Sequence, residues 1–356
     1  MRLLFVSEAT GWSGGANQIW LTATRLIARG HQVAVACTDG AELSSRLKAA
    51  AVPVLPFTPR QDYDLFGARH LARLAKRWGA DLIHSHHPRA HALALLATVF
   101  GMMAPIVVTR RVIRPIGKNP FSRVKYSSTR VSRYIAVCDA AGTELQAAGV
   151  SAERISVIPS GVDFARWEPT RAARPAMNDR KPLIVTMVGH YAPIKGHEVL
   201  LEAIPLVLRE LPEVRFRLAG RDTEGLRDKA NRFGLSGKVQ LLGERRDVPE
   251  LLADSHLYVM PSLQEGIGTA LIEAQAGLVP VVASRVGGLP HVVDDGRTGT
   301  LVPPGDPAAL ADAIVASLRN PRQTETMAQA GYERARNLFS IDQVVLRLEA
   351  LYQSLA

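Results

Sequence analysis

The chain has 356 residues, of which 47% are hydrophobic and 21% charged, and a formal net charge of +10. This length exceeds one typical core and suffices for two, and the composition is that of an ordinary soluble globular protein rather than a disordered or fibrous one. Its two cysteines, Cys37 and Cys138, show no CxxC or Cys/His spacing. They are expected as reduced thiols on buried strands of a cytosolic protein, which argues against a disulfide framework.

Met1-Arg2 runs straight into a strand-like Leu3–Val6, so no signal peptide is expected. Short β-branched runs then alternate with helical periodicities, the pattern of a parallel sheet covered on both faces. Strands are predicted at Leu3–Val6, Gln32–Cys37, Val52–Phe57, Asp81–His84, Ile106–Val108, Tyr134–Val137 and Ile155–Ile158, with helices such as Ala16–Arg29, Leu65–Trp78 and Ala140–Ala148 between them. The apolar stretch Ala92–Val108 is broken by Gly101 and Pro105, and reads as a buried helix, His91–Met103, followed by a strand rather than as a membrane span.

The excess charge lies entirely in this half: residues 1–165 hold 20 Lys+Arg against 10 Asp+Glu, and residues 166–356 hold 23 of each. Arg110, Arg111, Arg114, Lys118, Arg123, Lys125, Arg130 and Arg133 form an acid-free run. It is either a solvated helix face or a contact for an anionic membrane or acidic acceptor. No nucleic-acid motif accompanies it.

Glu168–Lys181, rich in proline and charge, suits an interdomain linker. Beyond it the alternation restarts, with strands at Leu183–Val188, Arg215–Ala219, Val239–Leu242, Leu257–Met260, Val279–Ala283 and Gly299–Val302. Helices are expected at His197–Glu210, Glu224–Phe233, Pro249–Ala253, Thr269–Ala276 and Ala308–Leu318. The terminal run Ile341–Leu355 carries an amphipathic stripe of Val344, Val345, Leu348, Leu351, Tyr352 and Leu355. Two doubly wound domains are predicted, residues 1–167 with 340–356 and residues 168–339, with ligands at the carboxyl ends of the strands.

The strongest chemical signal is Glu265-Gly266-Ile267-Gly268-Thr269, followed by Glu273. On one continuous helix the two carboxylates would stand roughly 80° apart. The glycines instead place Glu265 on a loop and Glu273 inside the helix, with the amides of Gly266, Ile267, Gly268 and Thr269 between them at an anion-attracting helix start. Carboxylates that bind hydroxyls on both sides of an anion site suit a nucleotide-sugar.

Four further segments follow strands. Gly11-Trp12-Ser13-Gly14-Gly15-Ala16 opens a helix and serves either as a phosphate loop at Gly14 and Gly15 or as a plain turn; it does not match GxGxxG, which weakens a dehydrogenase reading. Asp81–His87 ends in His84, His86 and His87, where His86 is expected to donate to a sugar hydroxyl and His87 to be a bystander. His84, on the same side as His86 if the strand continues, alternatively lines the core, and a metal site is disfavoured because no carboxylate or cysteine is near in sequence. Gly189-His190 to Lys195-Gly196 puts a lysine at a helix start, where positive charge is unfavourable and so points to function at an anion. Glu244-Arg245-Arg246-Asp247 either borders a base or is a solvated loop, and Ser284–Pro290 reads as a structural turn.

Together these segments resemble family 4 of the retaining glycosyltransferases, which have the two-domain GT-B architecture. Glu265…Glu273 resembles the family's E-x7-E, Gly189…Lys195-Gly196 its G-R-x(n)-K-G, and Asp81–His86 its D-x-x-H-x-H; Ile158–Asp163 and Gly287–Pro303 also match. The resemblance implies that Glu265 contacts the donor hexose, Glu273 the ribose and Lys195 the diphosphate. It also implies that the amides after Glu265 cradle the diphosphate, that the Arg245–Arg246 backbone frames the base, and that the last helix crosses back to the N-domain. One departure is His190, which stands where the family has a phosphate-binding arginine; another is Pro290-His291 in place of Pro-Glu.

The expected activity is metal-independent, cofactor-free retaining transfer of a sugar from a UDP- or GDP-sugar to an acceptor hydroxyl. The acceptor is expected to be a glycan or lipid-linked, anionic molecule of envelope or lipopolysaccharide synthesis, met at the inner face of the cytoplasmic membrane. Alternatives are a nucleotide-sugar epimerase of the same architecture, a dehydrogenase and a non-enzymatic anionic-surface binding protein.

Overall fold

The computed structural model describes residues 1–117, 120–174 and 182–355. They form two units, Met1–Gly161 with Ile341–Ala356, and Val162–Ser340. The first unit thus ends at Gly161, and the break expected after Trp167 falls inside the second. Glu168–Ala173, expected within a linker, is a helix of the second unit. Its buried Thr170 donates to the Pro249 carbonyl at 3.1 Å and Arg171 donates to the Ala276 carbonyl at 3.0 Å. Residues 175–181 of the expected linker lie outside the described residues.

The first unit is built on a sheet of β1 (Arg2–Val6), β2 (Gln32–Cys37), β3 (Val54–Pro56), β4 (Leu82–Ser85), β5 (Ile106–Arg110), β6 (Val131–Ala136) and β7 (Ile155–Val157). All pairings are parallel and the order is β3-β2-β1-β4-β5-β6-β7. Strands buried on both faces explain the near-continuous apolar runs. Cys37 ends β2, whereas Cys138 lies just past β6 at the start of the helix Asp139–Ala147; both are buried and free. The apolar stretch from Ala92 is the helix Pro88–Val99. No helix of the described residues is long and apolar enough to cross a membrane.

The terminal helix Ile341–Gln353 packs on this first unit, burying Val344, Val345, Leu348 and Tyr352 in one cluster with Leu3, Phe5 and Ile19. At its margin Glu349 accepts from Arg29 at 2.9 Å and pairs with His31 at 2.8 Å. Four buried apolar side chains, at ~1.5–3 kcal/mol each, outweigh the Glu349 contacts, in which Arg29 is half-exposed, as the source of attachment.

The second unit has β8 (Ile184–Val188), β9 (Arg215–Ala219), β10 (Val239–Leu241), β11 (Leu257–Met260), β12 (Val281–Ser284) and β13 (Thr300–Val302), again all parallel, in the order β10-β9-β8-β11-β12-β13. In both sheets the order reverses at the first strand, between β1 and β4 and between β8 and β11. Such reversal points leave a crevice at the carboxyl ends of the strands. The loops after these four strands carry the glycine turn, the histidines, Lys195 and Glu265.

Candidate functional site

In the second unit two loops are stitched together above the β8–β11 reversal. Leu263 and Gln264 both donate their amides to the Ile194 carbonyl, at 2.8 and 3.1 Å. Gly196, at φ +71°, lets the backbones meet: a Cβ there would stand 1.8 Å from the Pro261 carbonyl oxygen. The result brings Lys195 to Glu265, with Nζ donating to Oε2 at 2.6 Å, and both side chains are largely buried.

Past Glu265 the chain turns at Gly268, φ +66°, where a Cβ would stand 2.6 Å from Leu289 Cδ2. Gly288 donates to the Glu265 carbonyl at 3.3 Å, so the Ser284–Pro290 turn buttresses this loop. The helix Thr269–Ala276 follows. The Gly266 amide, expected to be free for an anion, donates to Glu265 Oε1 at 3.2 Å, because the carboxylate folds back over its own loop. The amides of Ile267, Gly268 and Thr269 donate to no acceptor among the described residues.

Glu273 lies one turn into that helix. Burial pushes its carboxyl up to about 7, with only Arg166 opposing. Beneath it Tyr258 of β11 is buried and donates to the Val188 carbonyl at 3.3 Å. Burial, then the charges of Glu273 and Glu265, push the Tyr258 phenol up, so this ring sits in the field of both carboxylates. Its place in an apolar strand gave no chemical signal in the sequence.

His190 is exposed at the end of β8, and its imidazole is held below the usual range by burial and then by the charges of Lys195 and Arg221. Gly189 hydrogen-bonds through its amide to Ala219 at 2.8 Å. Arg245 and Arg246 are exposed on the loop after β10, and Arg245 Nε donates to Asp247 at 2.8 Å.

In the first unit Ser13 caps the helix Gly14–Ala28, accepting from the Ala16 amide at 3.3 Å, with Gly14 exposed and Gly15 half-buried. The histidines divide. His84 is buried, bonded at 2.6 Å to Tyr352 of the terminal helix and at 2.6 Å to Thr109. His86, two residues on, turns to the same side and into the core, which is the alternation expected along a strand. Its Nδ1 accepts from Arg111 at 3.0 Å and its carbonyl from the same guanidinium at 3.2 Å. Arginine can only donate, so the His86 proton sits on Nε2, which is buried and unpartnered among the described residues. His86 therefore does not present a donor at the surface. His87, expected to be a bystander, faces the glycine turn: its Nε2 is 3.8 Å from where a Gly15 Cβ would lie, and its Nδ1 is 3.3 Å from Ser7 Oγ. Burial, then Arg111, bring the His87 imidazole down to about 4, so it is neutral.

The basic run is not one surface. Arg111 points inward to His86, and Lys125 is buried, 3.6 Å from Asp62 and donating to the Pro88 carbonyl. Arg110 folds onto the Arg114 carbonyl. Arg114 and Arg123 are exposed, beside exposed Val112, Phe121 and Val124. Lys118 lies outside the described residues. No cluster of three His, Cys, Asp or Glu able to hold a metal occurs among the described residues.

Comparison with known proteins agrees with this geometry. Residues 12–166 match the family described as Glycosyltransferase Family 4, and residues 182–320 that described as Glycosyl transferases group 1. A phosphatidyl-myo-inositol mannosyltransferase of Mycobacterium leprae is 31% identical over 96% of this chain and 93% of its own length. A D-inositol 3-phosphate glycosyltransferase of Streptomyces scabiei is 33% identical over 67% of this chain, which spans only 55% of that relative. Among solved structures, Anabaena HepE in complex with UDP superposes with a TM-score of 0.87 at 23% identity over the whole of both chains. A glycosyltransferase from Rickettsia africae gives 0.87 at 21%, covering 99% of this chain and 98% of that one. Two parallel Rossmann-like units, the matched regions in both and the near full-length mannosyltransferase likeness lead to one assignment: this chain is a glycosyltransferase of family 4 with the GT-B fold.

Proposed function

We propose that the protein transfers a sugar from a UDP- or GDP-sugar to an acceptor hydroxyl with retention at the anomeric carbon. The observation that carries this reading is the Lys195–Glu265 pair beside the amides of Ile267–Thr269, which have no acceptor among the described residues, with Glu273 one turn beyond. The diphosphate would displace Glu265 from Lys195 and take the lysine and the amides as donors; preorganised donors of this kind stabilise a departing anion without reorganisation. Released from Lys195, Glu265 would hold the hexose and Glu273 the ribose hydroxyls, with the Arg245–Arg246 backbone against the base. On the first unit, His86 is turned inward, and His87 beside the Gly14–Gly15 turn is the polar group left at the carboxyl end of that sheet.

In the transfer step the acceptor oxygen bonds to the anomeric carbon on the face that the diphosphate leaves. The acceptor proton passes to the leaving phosphate oxygen, so no dedicated base, metal or cofactor is required. HepE was solved with UDP and with UDP-glucose, which supports a nucleoside diphosphate donor. The mannosyltransferase named for phosphatidyl-myo-inositol supports a lipid-linked, anionic acceptor in envelope glycan or lipopolysaccharide synthesis. The exposed Arg114 and Arg123 among Val112, Phe121 and Val124 support peripheral attachment to the inner face of the cytoplasmic membrane.

The test is incubation with UDP- and GDP-sugars and lipid extracts, with the product's anomeric configuration read by NMR. A glycoside with the donor's configuration is expected. An inverted product, or conversion of the donor sugar without transfer, overturns the reading.

A further inference from the structure

Lys195 cannot neutralise a diphosphate alone. It stands at 2.6 Å from Glu265, so the pair brings no net charge, and the amides of Ile267, Gly268 and Thr269 contribute only partial charges. His190, next along the site, does not supply the missing cation. Its imidazole is pushed down, first by burial and then by the neighbouring charges of Lys195 and Arg221, which disfavours its charged form.

Arg221 occupies the loop after β9, the strand beside β8. Its carbonyl accepts the Tyr191 amide at 2.8 Å, which ties it directly to the His190 loop. The two loops touch at Gly220, where a Cβ would stand 2.0 Å from the Gly189 carbonyl oxygen and 2.8 Å from the His190 amide nitrogen. Only glycine, here at φ +144°, permits that approach. The guanidinium itself is weakly engaged: its Nε lies 3.7 Å from Asp222 and its side chain is 66% exposed. Asp222 adopts φ +66°, a left-handed conformation uncommon outside glycine, which holds the loop in this turn.

From this arrangement we propose that Arg221 is the second diphosphate-binding cation, acting from the β9 loop across His190 and opposite Lys195. The inference rests on the nucleotide-sugar reading above. A guanidinium engages phosphate oxygens in bidentate fashion, which an ammonium does not, so Arg221 would also fix the orientation of the leaving group.

The experiment is calorimetric titration of the full chain with UDP, GDP and the matching monophosphates. Arg221→Ala should weaken the bound diphosphate about tenfold or more and the monophosphate much less. Adding His190→Arg to that variant should restore most of the loss, because the new guanidinium would stand on the adjoining loop. A diphosphate affinity within twofold of wild type in Arg221→Ala, an equal loss for mono- and diphosphate, or no rescue by His190→Arg each overturns the proposal. Failure of wild type to bind either diphosphate overturns the reading of the site itself, and Arg221 with it. Unchanged melting of Arg221→Ala, expected for so exposed a side chain, excludes misfolding as the cause of any loss.

Discussion

Lys195 Nζ and Glu265 Oε2 meet at 2.6 Å although 70 residues separate them in the chain. The contact exists because the Ile194 carbonyl holds the amides of Leu263 and Gln264, and because Gly196 admits the Pro261 carbonyl against it. Lys195→Ala removes a donor to the leaving diphosphate and should lower kcat by about 10²–10³-fold. Its melting temperature should fall as well, because the largely buried Glu265 carboxylate loses its cation, so turnover is compared on protein shown to be folded. Turnover within threefold of wild type would remove Lys195 from the mechanism.

Gly196→Ala tests the scaffold without touching either charge. The new methyl meets a carbonyl oxygen at 1.8 Å and forces a non-glycine residue to φ +71°. Left-handed strain and the clash together should cost on the order of 3 kcal/mol or more. Urea denaturation should show the loss, and any protein that remains folded should bind nucleoside diphosphate more weakly because the two loops are pushed apart. Wild-type stability would contradict the close approach.

Glu273 gives a pH dependence whose sign is determined. Its carboxyl titrates near 4.5 in the unfolded chain and at about 7 when folded. Between those values the native state holds a proton that the unfolded state has lost, so stability falls as pH rises from about 4.5 to 7 and then levels. Glu273→Gln removes this dependence and should melt higher than wild type at pH 8, by at most about 3 kcal/mol before solvent screening is allowed for. Ligand binding runs the other way: if the carboxylate grips the ribose, wild-type affinity should rise through pH 7 and that of the variant should stay flat. A variant less stable than wild type at pH 8 would show that the carboxylate has a partner that offsets its burial.

How much of this was legible beforehand depends on how local each signal is. Leu65–Trp78, His197–Glu210 and Thr269–Ala276 coincide with their predicted spans because capping, periodicity and glycine all act within a few residues. The long helix Pro321–Phe339 had no such signal: it buries Thr324, Ala328, Gly331 and Ala335, small residues that form no apolar stripe, and only Phe339 at its end is large. A Cβ at Gly331 would stand 2.9 Å from the Thr298 carbonyl oxygen, so smallness is the packing rule there. Charge was legible as a run but not as directions. Lys125 is turned inward by Asp62 and Arg111 by His86, partners distant in sequence. Glu265 and Glu273 were readable as a pair, but the Gly266 amide taken up by Glu265 was not.

Tyr352 anchors the terminal helix through a hydroxyl as well as a ring. Tyr352→Phe keeps the packing but leaves His84 Nδ1 buried without its 2.6 Å partner. The loss should be about 1–2 kcal/mol in urea denaturation, the cost of one unsatisfied buried polar group. A neutral effect would mean that water replaces the hydroxyl.

The exposed face of the basic segment yields the last prediction. Phe121 and Val124, at 44% and 70% exposure, flank Arg123 on the short helix Pro120–Ser127, with Val112 and Arg114 on the loop before it. Such a strip suits an anionic bilayer, with arginines at the headgroups and apolar tips below them. Sedimentation with vesicles rich in anionic phospholipid should show attachment that weakens steeply as salt is raised, because the Debye length shrinks from about 10 Å at 0.1 M to 3 Å at 1 M. Arg114→Glu with Arg123→Glu should abolish attachment at low salt. Phe121→Ser with Val124→Ser should leave the charge attraction and remove only what survives at high salt. Equal binding to zwitterionic vesicles, or none to anionic ones, would confine these arginines to an acceptor or to solvent and remove the membrane from the proposal.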